Sequence, residues 1–425
     1  MKIAFFNIGT RYNNMTLRPR HMFSEALLMH NIDSVAYART DIGKAFVLTN
    51  ADGKTYTIVL PGQIPLLSKL VRRRGKSIVR KITIALENLI FVLQVLRQLP
   101  KDKCDLYVIT HLWDYEIPFI NIILRIFRPT IIMWLGGSLR WYEQTNKWKY
   151  YIFVSIFRIS LRLASLILIS LDSEQEYYLF KVLKLPRSKV DSKPINPSII
   201  VDDKLFHTLD RNSATKKVGF NKDKINIVMI SRIESTQRVS SSKDYEKDPF
   251  TALEIFRCLA QKNPKVMLHV IGRGVGMKEF RTRIHRYKLQ DKVKIYGWIE
   301  RELLPEYYSA ADLTFYPHPL ITINDGTANH ESLLCGTPVI YYKRYPWVKT
   351  EQPGGFLIDR DPELGAEQIL SRLNPTYLLK KGEEAKSMPH DFTIEAFGNY
   401  LTKILRQLIK NGSNKSIFEK KVTLR

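Results

Sequence analysis

The stretch VMLHVIGRGVGMKEF, residues 266–280, decides the fold. A short apolar run suited to a buried strand ends in glycines and passes into a pattern suited to a helix. Strand, glycine turn and helix in that order make the first half of a βαβ unit. The next apolar run, VKIYGW at 293–298, supplies the second strand.

The alternation extends in both directions. Downstream lie LTFYP (313–317) and TPVIYY (337–342); upstream lie INIVMIS (225–231) and the helical PFTALEIFRCLAQK (249–262). An earlier series runs through KIAFF (2–6), the helical RPRHMFSEALLMH (18–30), SVAYA (34–38), DLYVIT (105–110), the helical IPFINIILRIF (117–127), TIIMWL (130–135) and SLILIS (165–170). Short strands alternating with amphipathic helices predict parallel sheets covered on both faces. Between the two series the pattern pauses, and residues 182–224 are rich in Pro, Lys, Asp and Ser. The reading is α/β: two Rossmann-like doubly wound domains. The first covers residues 1–200 and is followed by a linker at 201–224. The second covers 225–389, then a C-terminal helix at 390–409 packs back toward the first domain, and a basic tail closes the chain at 410–425.

Composition bounds the rest. The 425 residues carry a formal net charge of +25, an excess that calls for an anionic partner. Three scattered cysteines in no ligand-like spacing argue against disulfides and zinc and for a reducing compartment. MKIAFFNIG reads as a first strand, too quickly polar for a signal peptide. The most apolar long stretch, Tyr150 to Leu171, is broken by Arg158 and Arg162 and reads as a buried helix running into a strand.

In open parallel sheets, ligands bind at the carboxyl ends of the strands. Arg232 ends the strand at 225–231, and Lys247 opens the helix that follows. A guanidinium fork and a compact ammonium there suit a diphosphate; two solvated surface cations are the plainer alternative. Gly272 and Gly274 let the backbone approach a phosphate or a sugar, although a tight turn explains them equally well. In INDGTANHESLLCGTPVIYY, residues 323–342, Asp325 suits an N-cap. Gly326 permits close approach, and the amides of residues 326–328 would greet an anion at a helix start. Glu331 lies one turn after Thr327 on the same face, placed either for two ribose hydroxyls or for a nearby cation.

Taken in order, Arg232, Lys247, VIGRG, VKIYGWI, LPEYYSAADLTFYPH and DGTANHESLLCGTPVI resemble the donor-binding domain of family-4-type retaining glycosyltransferases, among the glycosyl transferases of group 1. The likeness spans residues 225–360 and continues weakly through DLYVITHLWD and LDSEQEYYL in the first domain. It implies the GT-B fold, with its two domains facing across a cleft. It implies a nucleotide-diphospho-sugar donor, no further cofactor and no protein-bound metal. Arg232 and Lys247 would then hold the diphosphate, with Lys243 as a rival. The backbone near Trp298 and Ile299 would meet the base, and Glu331 the ribose. The loop after the first strand, where Gly9 would turn the chain, would contact the acceptor.

The sequence departs from the family pattern twice. Where a first Glu is usual, seven residues before the second, stands Ile323, with Asp325 as the nearby substitute. Where a His often ends a strand stands Leu135 or Gly136, which leaves His111 as the candidate for the reacting centre. A GT-B nucleotide-sugar epimerase and a non-catalytic GT-B-shaped binding protein are the alternatives to a transferase.

Seven Lys and Arg between Lys69 and Lys81 interleave with Leu70, Val71, Ile78 and Val79. A basic amphipathic segment of this kind suits an anionic membrane surface. The expectation is a cytoplasmic protein held at the inner face of a membrane, acting on a lipid-linked or saccharide acceptor. No nucleic-acid-reading module is visible, so no nucleic acid is expected as a partner.

Overall fold

The computed structural model describes residues 2–11, 30–40, 46–49, 56–61, 93–94, 96–98, 101, 103–110, 121–125, 129–134, 147–169, 178–191, 200–235, 247–320, 326–343, 350–388 and 392–413. The chain divides into two compact units, Met1–Ile200 with Asp391–Arg425, and Val201–His390.

The first unit is built on an eight-stranded sheet in the order β3-β4-β2-β1-β5-β6-β7-β8. Its strands are β1 (Lys2–Arg11), β2 (Asp33–Thr40), β3 (Phe46–Thr49), β4 (Tyr56–Pro61), β5 (Leu106–Thr110), β6 (Thr130–Trp134), β7 (Leu166–Ile169) and β8 (Val190–Asp191). All pairings are parallel except β3 with β4. The β3–β4 pair, FVLT and YTIVLP around a polar Asp-Gly stretch, carries ordinary strand and hairpin signals that the sequence reading passes over. Tyr150–Leu171 resolves into helix α1 (Lys147–Leu163) followed by β7, as expected, but α1 is buried on one face only.

The second unit carries a seven-stranded sheet in the order β11-β10-β9-β12-β13-β15-β14. Its strands are β9 (Ile225–Ile230), β10 (Val266–Ile271), β11 (Val293–Gly297), β12 (Leu313–Leu320), β13 (Val339–Lys343), β14 (Glu351–Gln352) and β15 (Gly355–Ile358). Only β14 runs antiparallel to its neighbour. Its helices are α2 (Arg211–Val218), α3 (Pro249–Lys262), α4 (Met277–Arg286), α5 (Leu304–Ala310), α6 (Thr327–Leu334), α7 (Pro362–Leu370) and α8 (Pro375–Ser387). Helix α3 shows why the pattern is legible. Asp248 caps it by accepting from Thr251 N at 3.0 Å, and Pro249 occupies its first position. Phe250, Leu253, Phe256 and Leu259 then share one apolar cluster with Met229, Leu268 and Phe315 of the sheet.

Residues 201–224, expected as a linker, fall inside the second unit. Phe206 is buried, and α2 is capped by Asp210 and closed by Gly219 at φ 69°. The helix escapes sequence reading because only Ala214 and Thr215 turn inward. The last helix, α9 (Ile394–Ser413), runs through the first residues of the expected tail. Its Phe397, Leu401, Ile404 and Leu405 pack in one core with Ile3, Phe5, Leu106 and Val108 of the first unit. Cys104, Cys258 and Cys335 are buried thiols.

Candidate functional site

The strand order of the second sheet reverses between β9 and β12. A chain that winds away from that point in both directions leaves a crevice at the carboxyl ends of those strands, where ligands bind. Arg232 follows the end of β9. Lys247 precedes α3, and its neighbour Asp248 is pinned from three sides. Asp248 N donates to Pro317 O at 2.7 Å, Tyr342 Oη donates to Asp248 O at 2.9 Å, and Arg360 Nη2 donates to Asp248 Oδ2 at 2.6 Å. These contacts fix Lys247 beside the ends of β12 and β13.

The two cations are held differently. Arg232 is 66% exposed and pairs with the buried carboxylate of Glu234. Lys247 is half-buried, with its ammonium 5.4 Å from the centre of the Tyr316 ring. Loss of solvent lowers its pKa below the usual lysine value, and the nearby Arg232 charge lowers it further. The Glu331 carboxylate acts in the opposite direction. Arg232, Lys247 and Glu331 therefore share one electrostatic neighbourhood. Lys243 lies outside the described residues.

The glycines of the VIGRGVG turn have an internal explanation. A Cβ at Gly272 would meet Ser231 O at 1.9 Å, one at Gly274 would meet Ile233 O at 2.1 Å, and one at Gly276 would meet Glu234 O at 2.1 Å. The turn lies directly on the main chain of residues 231–234, joined to it by Ile233 N to Arg273 O and Gly276 N to Ile233 O. The space a side chain would need is filled by the segment that carries Arg232. The packing of the segment that carries Arg232 is therefore reason enough for glycine at positions 272 and 274.

Helix α6 begins at Thr327, and its N-cap is Gly326 at φ 95°, with no side-chain capping bond. Asp325, expected in that place, precedes the cap and lies outside the described residues. A Cβ at Gly326 would strike Tyr316 Oη at 2.1 Å, so the glycine lets the helix start seat on the ring that Lys247 covers. Without a side-chain cap, the amides of the first turn are left for water or an anion.

Glu331 is buried, and its carboxylate is engaged. Oε1 accepts from Arg301 Nε at 3.1 Å and Nη2 at 2.9 Å, while Oε2 accepts from Tyr308 Oη at 3.2 Å. The cation expected near Glu331 is thus present, as Arg301. Burial raises the pKa of Glu331, and Arg301, Tyr308 and Lys247 act against that rise. Arg301 also lies over the ring of Phe206 at 5.0 Å, and that ring meets Tyr308 edge-on at 6.2 Å. Arg301 and Tyr308 were missed by sequence reading. Arg301 sits in the polar IERE stretch, which looks like an ordinary solvated turn. The signal that could have found it is Glu331 itself, since a carboxylate on a helix that must be buried demands a cation.

Trp298 is half-exposed, with the Arg273 guanidinium 5.0 Å from its ring centre, and Ile299 beside it is partly buried. Both adjoin the glycine turn, through Gly272 N to Gly297 O at 2.7 Å. Gly9, expected in a loop after the first strand, lies inside β1, which continues to Arg11. The pairing register of β1 with β2 shifts between Phe6 and Arg11, so the glycine falls in an irregular strand rather than a turn. His111, Ile323, Leu135, Gly136 and the basic segment 69–81 lie outside the described residues.

With this geometry in place, comparison with known proteins defines the class. The chain has the fold of a sucrose-phosphate synthase from Thermosynechococcus elongatus, with TM-score 0.70 at 18% identity, covering 96% of this chain and 99% of that one. Anabaena HepE, solved in complex with UDP, matches with TM-score 0.65 at 17% identity, covering 96% and 100%. WaaG, a glycosyltransferase involved in lipopolysaccharide biosynthesis, matches with TM-score 0.62 at 12% identity, covering 95% and 99%. The fold is the GT-B class of two Rossmann-like units. Residues 210–386, most of the second unit, match the family model of glycosyl transferases group 1. No curated protein sequence matches the chain.

Proposed function

We propose that this protein transfers a sugar from a nucleotide-diphospho-sugar to a hydroxyl of a lipid-linked or cell-envelope saccharide. Transfer retains the anomeric configuration and uses no protein-bound metal. One observation carries the reading: Arg232, Lys247 and Glu331 share one neighbourhood where the strand order reverses, inside the stretch that matches the group 1 glycosyl transferases.

Lys247 and Arg232 take the donor diphosphate, and the amides at the start of α6 face it. As the bond between sugar and phosphate breaks, negative charge collects on the departing diphosphate. Fixed donors and cations aimed there lower the barrier most when they need no rearrangement. The contacts that pin Asp248 give Lys247 that rigidity. Trp298 and Ile299 meet the base. Arg301 and Tyr308 hold Glu331 in one orientation, and the remaining acceptor capacity of its Oε2 receives a ribose hydroxyl. The chemistry of the reacting centre is assigned to His111 and Asp325, as the family resemblance implies. The protein works in the cytoplasm at the inner face of a membrane, with residues 69–81 on the anionic lipid. The lipopolysaccharide role of WaaG supports an acceptor of this class.

A donor screen tests the proposal. Thermal unfolding is followed with nucleoside diphosphates and their sugars, starting with UDP because HepE was solved with it. A ligand at a hundred times its Kd stabilises the folded protein by about 2.7 kcal/mol, a clear rise in melting temperature. A melting temperature unmoved by every nucleoside diphosphate and nucleotide sugar ends the reading.

A further inference from the structure

Helix α1 is apolar on two sides. Phe157 and Leu161 are buried within the first unit. On the other side Tyr151 is 67% exposed, Ile152 52%, Ile159 55% and Leu163 40%. At 100° per residue these four fall within about a third of the helix circumference. Ser155 and Arg162 lie within the same arc and are exposed too, Arg162 near its Tyr151 edge and Ser155 donating back to Tyr151 O at 2.8 Å. Isolated exposed leucines need no explanation, but four large apolar residues in one stripe do.

The surroundings of the stripe are cationic. Residues 147–163 contain Lys147, Lys149, Arg158 and Arg162, and no carboxylate. Beyond the C-terminal end of α1 stand Arg125 and Lys189. These cations are held by main-chain carbonyls: Arg158 Nη2 donates to Val182 O at 2.8 Å, Arg162 Nη2 to Lys184 O at 3.1 Å, and Arg125 Nε to Leu163 O at 3.0 Å. Lys189 Nζ donates to Ala164 O at 3.0 Å and also to Arg162 O. Carbonyl bonds fix the positions of the cations and leave their charge intact. Burial lowers the pKa of Lys189, and the nearby Arg125 charge adds to that to a lesser degree.

We propose that the Tyr151–Leu163 stripe of α1 is a membrane-contact face that lies in the surface of an anionic bilayer. An apolar stripe with cations along one edge is the pattern of an interfacial helix, which sinks its apolar side to the level of the headgroups and keeps its charges at the phosphates. Spanning is ruled out for this element: 17 residues carry four cations, and no described helix is long and apolar enough to cross a membrane. A second copy of the chain is a poorer occupant. A two-fold contact places the same surface on both sides, and α1 would bring cations and no carboxylate to each. The inference is independent of the donor site, and it concerns a surface other than residues 69–81.

The test is sedimentation of the full chain with vesicles of phosphatidylglycerol and phosphatidylcholine, against phosphatidylcholine alone, with no sugar donor present. The wild type should pellet with the anionic vesicles and be released by salt. The double variant Ile152→Glu/Ile159→Glu should lower the partition coefficient at least ten-fold. Arg162→Glu should lower it more than five-fold, since about one cation's attraction is lost and one anion's repulsion added. Circular dichroism checks that the variants fold; if the glutamates unfold the unit, Ile152→Ser/Ile159→Ser replaces them with the same expectation. Wild-type protein that stays in the supernatant overturns the proposal. So does unchanged binding by a folded Ile152/Ile159 variant, including the case where Arg72→Glu/Arg73→Glu/Arg74→Glu alone abolishes it. A dimer seen by light scattering that the Ile152/Ile159 substitutions dissociate would assign the face to a second copy instead.

Discussion

Two groups of cations, one in each unit, are held in opposite ways. In the second unit, Arg283 bonds to Glu254 and Glu279, Arg301 to Glu331, Arg372 to Glu351, and Lys381 to Glu384. In the first, Arg125, Arg158, Arg162 and Lys189 bond to carbonyls around the end of α1. Carboxylate partners cancel charge and tie elements together; carbonyl partners only aim it. The four cations around α1 thus keep their charge, while the four of the second unit are neutralised in pairs. Lys247 is an exception to those four pairs, held over an aromatic ring near Arg232. An exception of that kind at the strand-order reversal is what an anionic ligand would exploit.

The sharpest way to break this contrast is to remove one internal cation. Arg301→Met leaves Glu331 buried without its ion-pair partner. Breaking a buried pair from one side costs about 3–5 kcal/mol. Urea unfolding should show that loss, and Glu331→Gln in the Arg301→Met background should recover part of it by removing the orphaned charge. A loss under about 1 kcal/mol would mean that the pair is effectively a surface one, and the contrast between the units would fail.

A second probe asks how strictly the second unit excludes unbalanced charge. His269 Nε2 lies 2.9 Å from Asn226 Oδ1, its Nδ1 lies 3.0 Å from Tyr296 Oη, and its ring stacks on Phe220. Burial, aided by the Lys294 charge, lowers its pKa to about 4. The folded state therefore favours neutral imidazole. That contribution is complete above about pH 6.5, the unfolded value, and is lost as pH falls toward 4. Stability should drop by up to about 3 kcal/mol across that window. His269→Gln should flatten this part of the pH profile. A profile that is flat in the wild type would show that the imidazole protonates in place.

Lys247 tests the exception itself. Lys247→Ala should weaken binding of a nucleoside diphosphate by about ten- to a hundred-fold, the scale of a charged hydrogen bond. Because its pKa is lowered, affinity should also decline with rising pH sooner than an ordinary lysine would allow. Lys247→Arg should keep affinity flat through that range, since guanidinium does not titrate there. Isothermal titration across pH reads both effects. Equal affinities for wild type and Lys247→Ala would return Lys247 to the surface cations.

The elements that sequence reading found are those with one dominant signal. PFTALEIFRCLAQK has a capping Asp, a Pro start and an unbroken apolar stripe, and its predicted bounds coincide with α3. The central strands are apolar because both sheet faces are covered. What escaped was local structure held by distant partners. Helix α2 buries little and is tied down by Glu306 and Asp312, and Arg301 matters only because Glu331 reaches it across 30 residues. At the site, residue type was legible and geometry was not. A Gly-rich turn reads alike whether its empty space admits a phosphate or, as here, the main chain of residues 231–234. The exposed stripe of α1 was misread for a related reason. Hydrophobicity says that a face must be covered, and says nothing about whether protein or lipid covers it.

The smallest effect settles whether residues 201–224 act as a linker or as part of the second unit. Gly219 closes α2 at φ 69°, and a Cβ added there would meet nothing within 4 Å. Substitution therefore isolates the backbone cost from any packing cost. Gly219→Ala should destabilise the second unit by about 1 kcal/mol, the penalty for a left-handed alanine. Gly219→Asn should cost visibly less, because asparagine tolerates that region. In a linker with no fixed conformation neither change would register in urea unfolding. A graded response from glycine through asparagine to alanine would instead show α2 folding with the sheet, as expected of a helix whose Lys217 reaches Glu306 of α5 and whose Arg211 reaches Asp312.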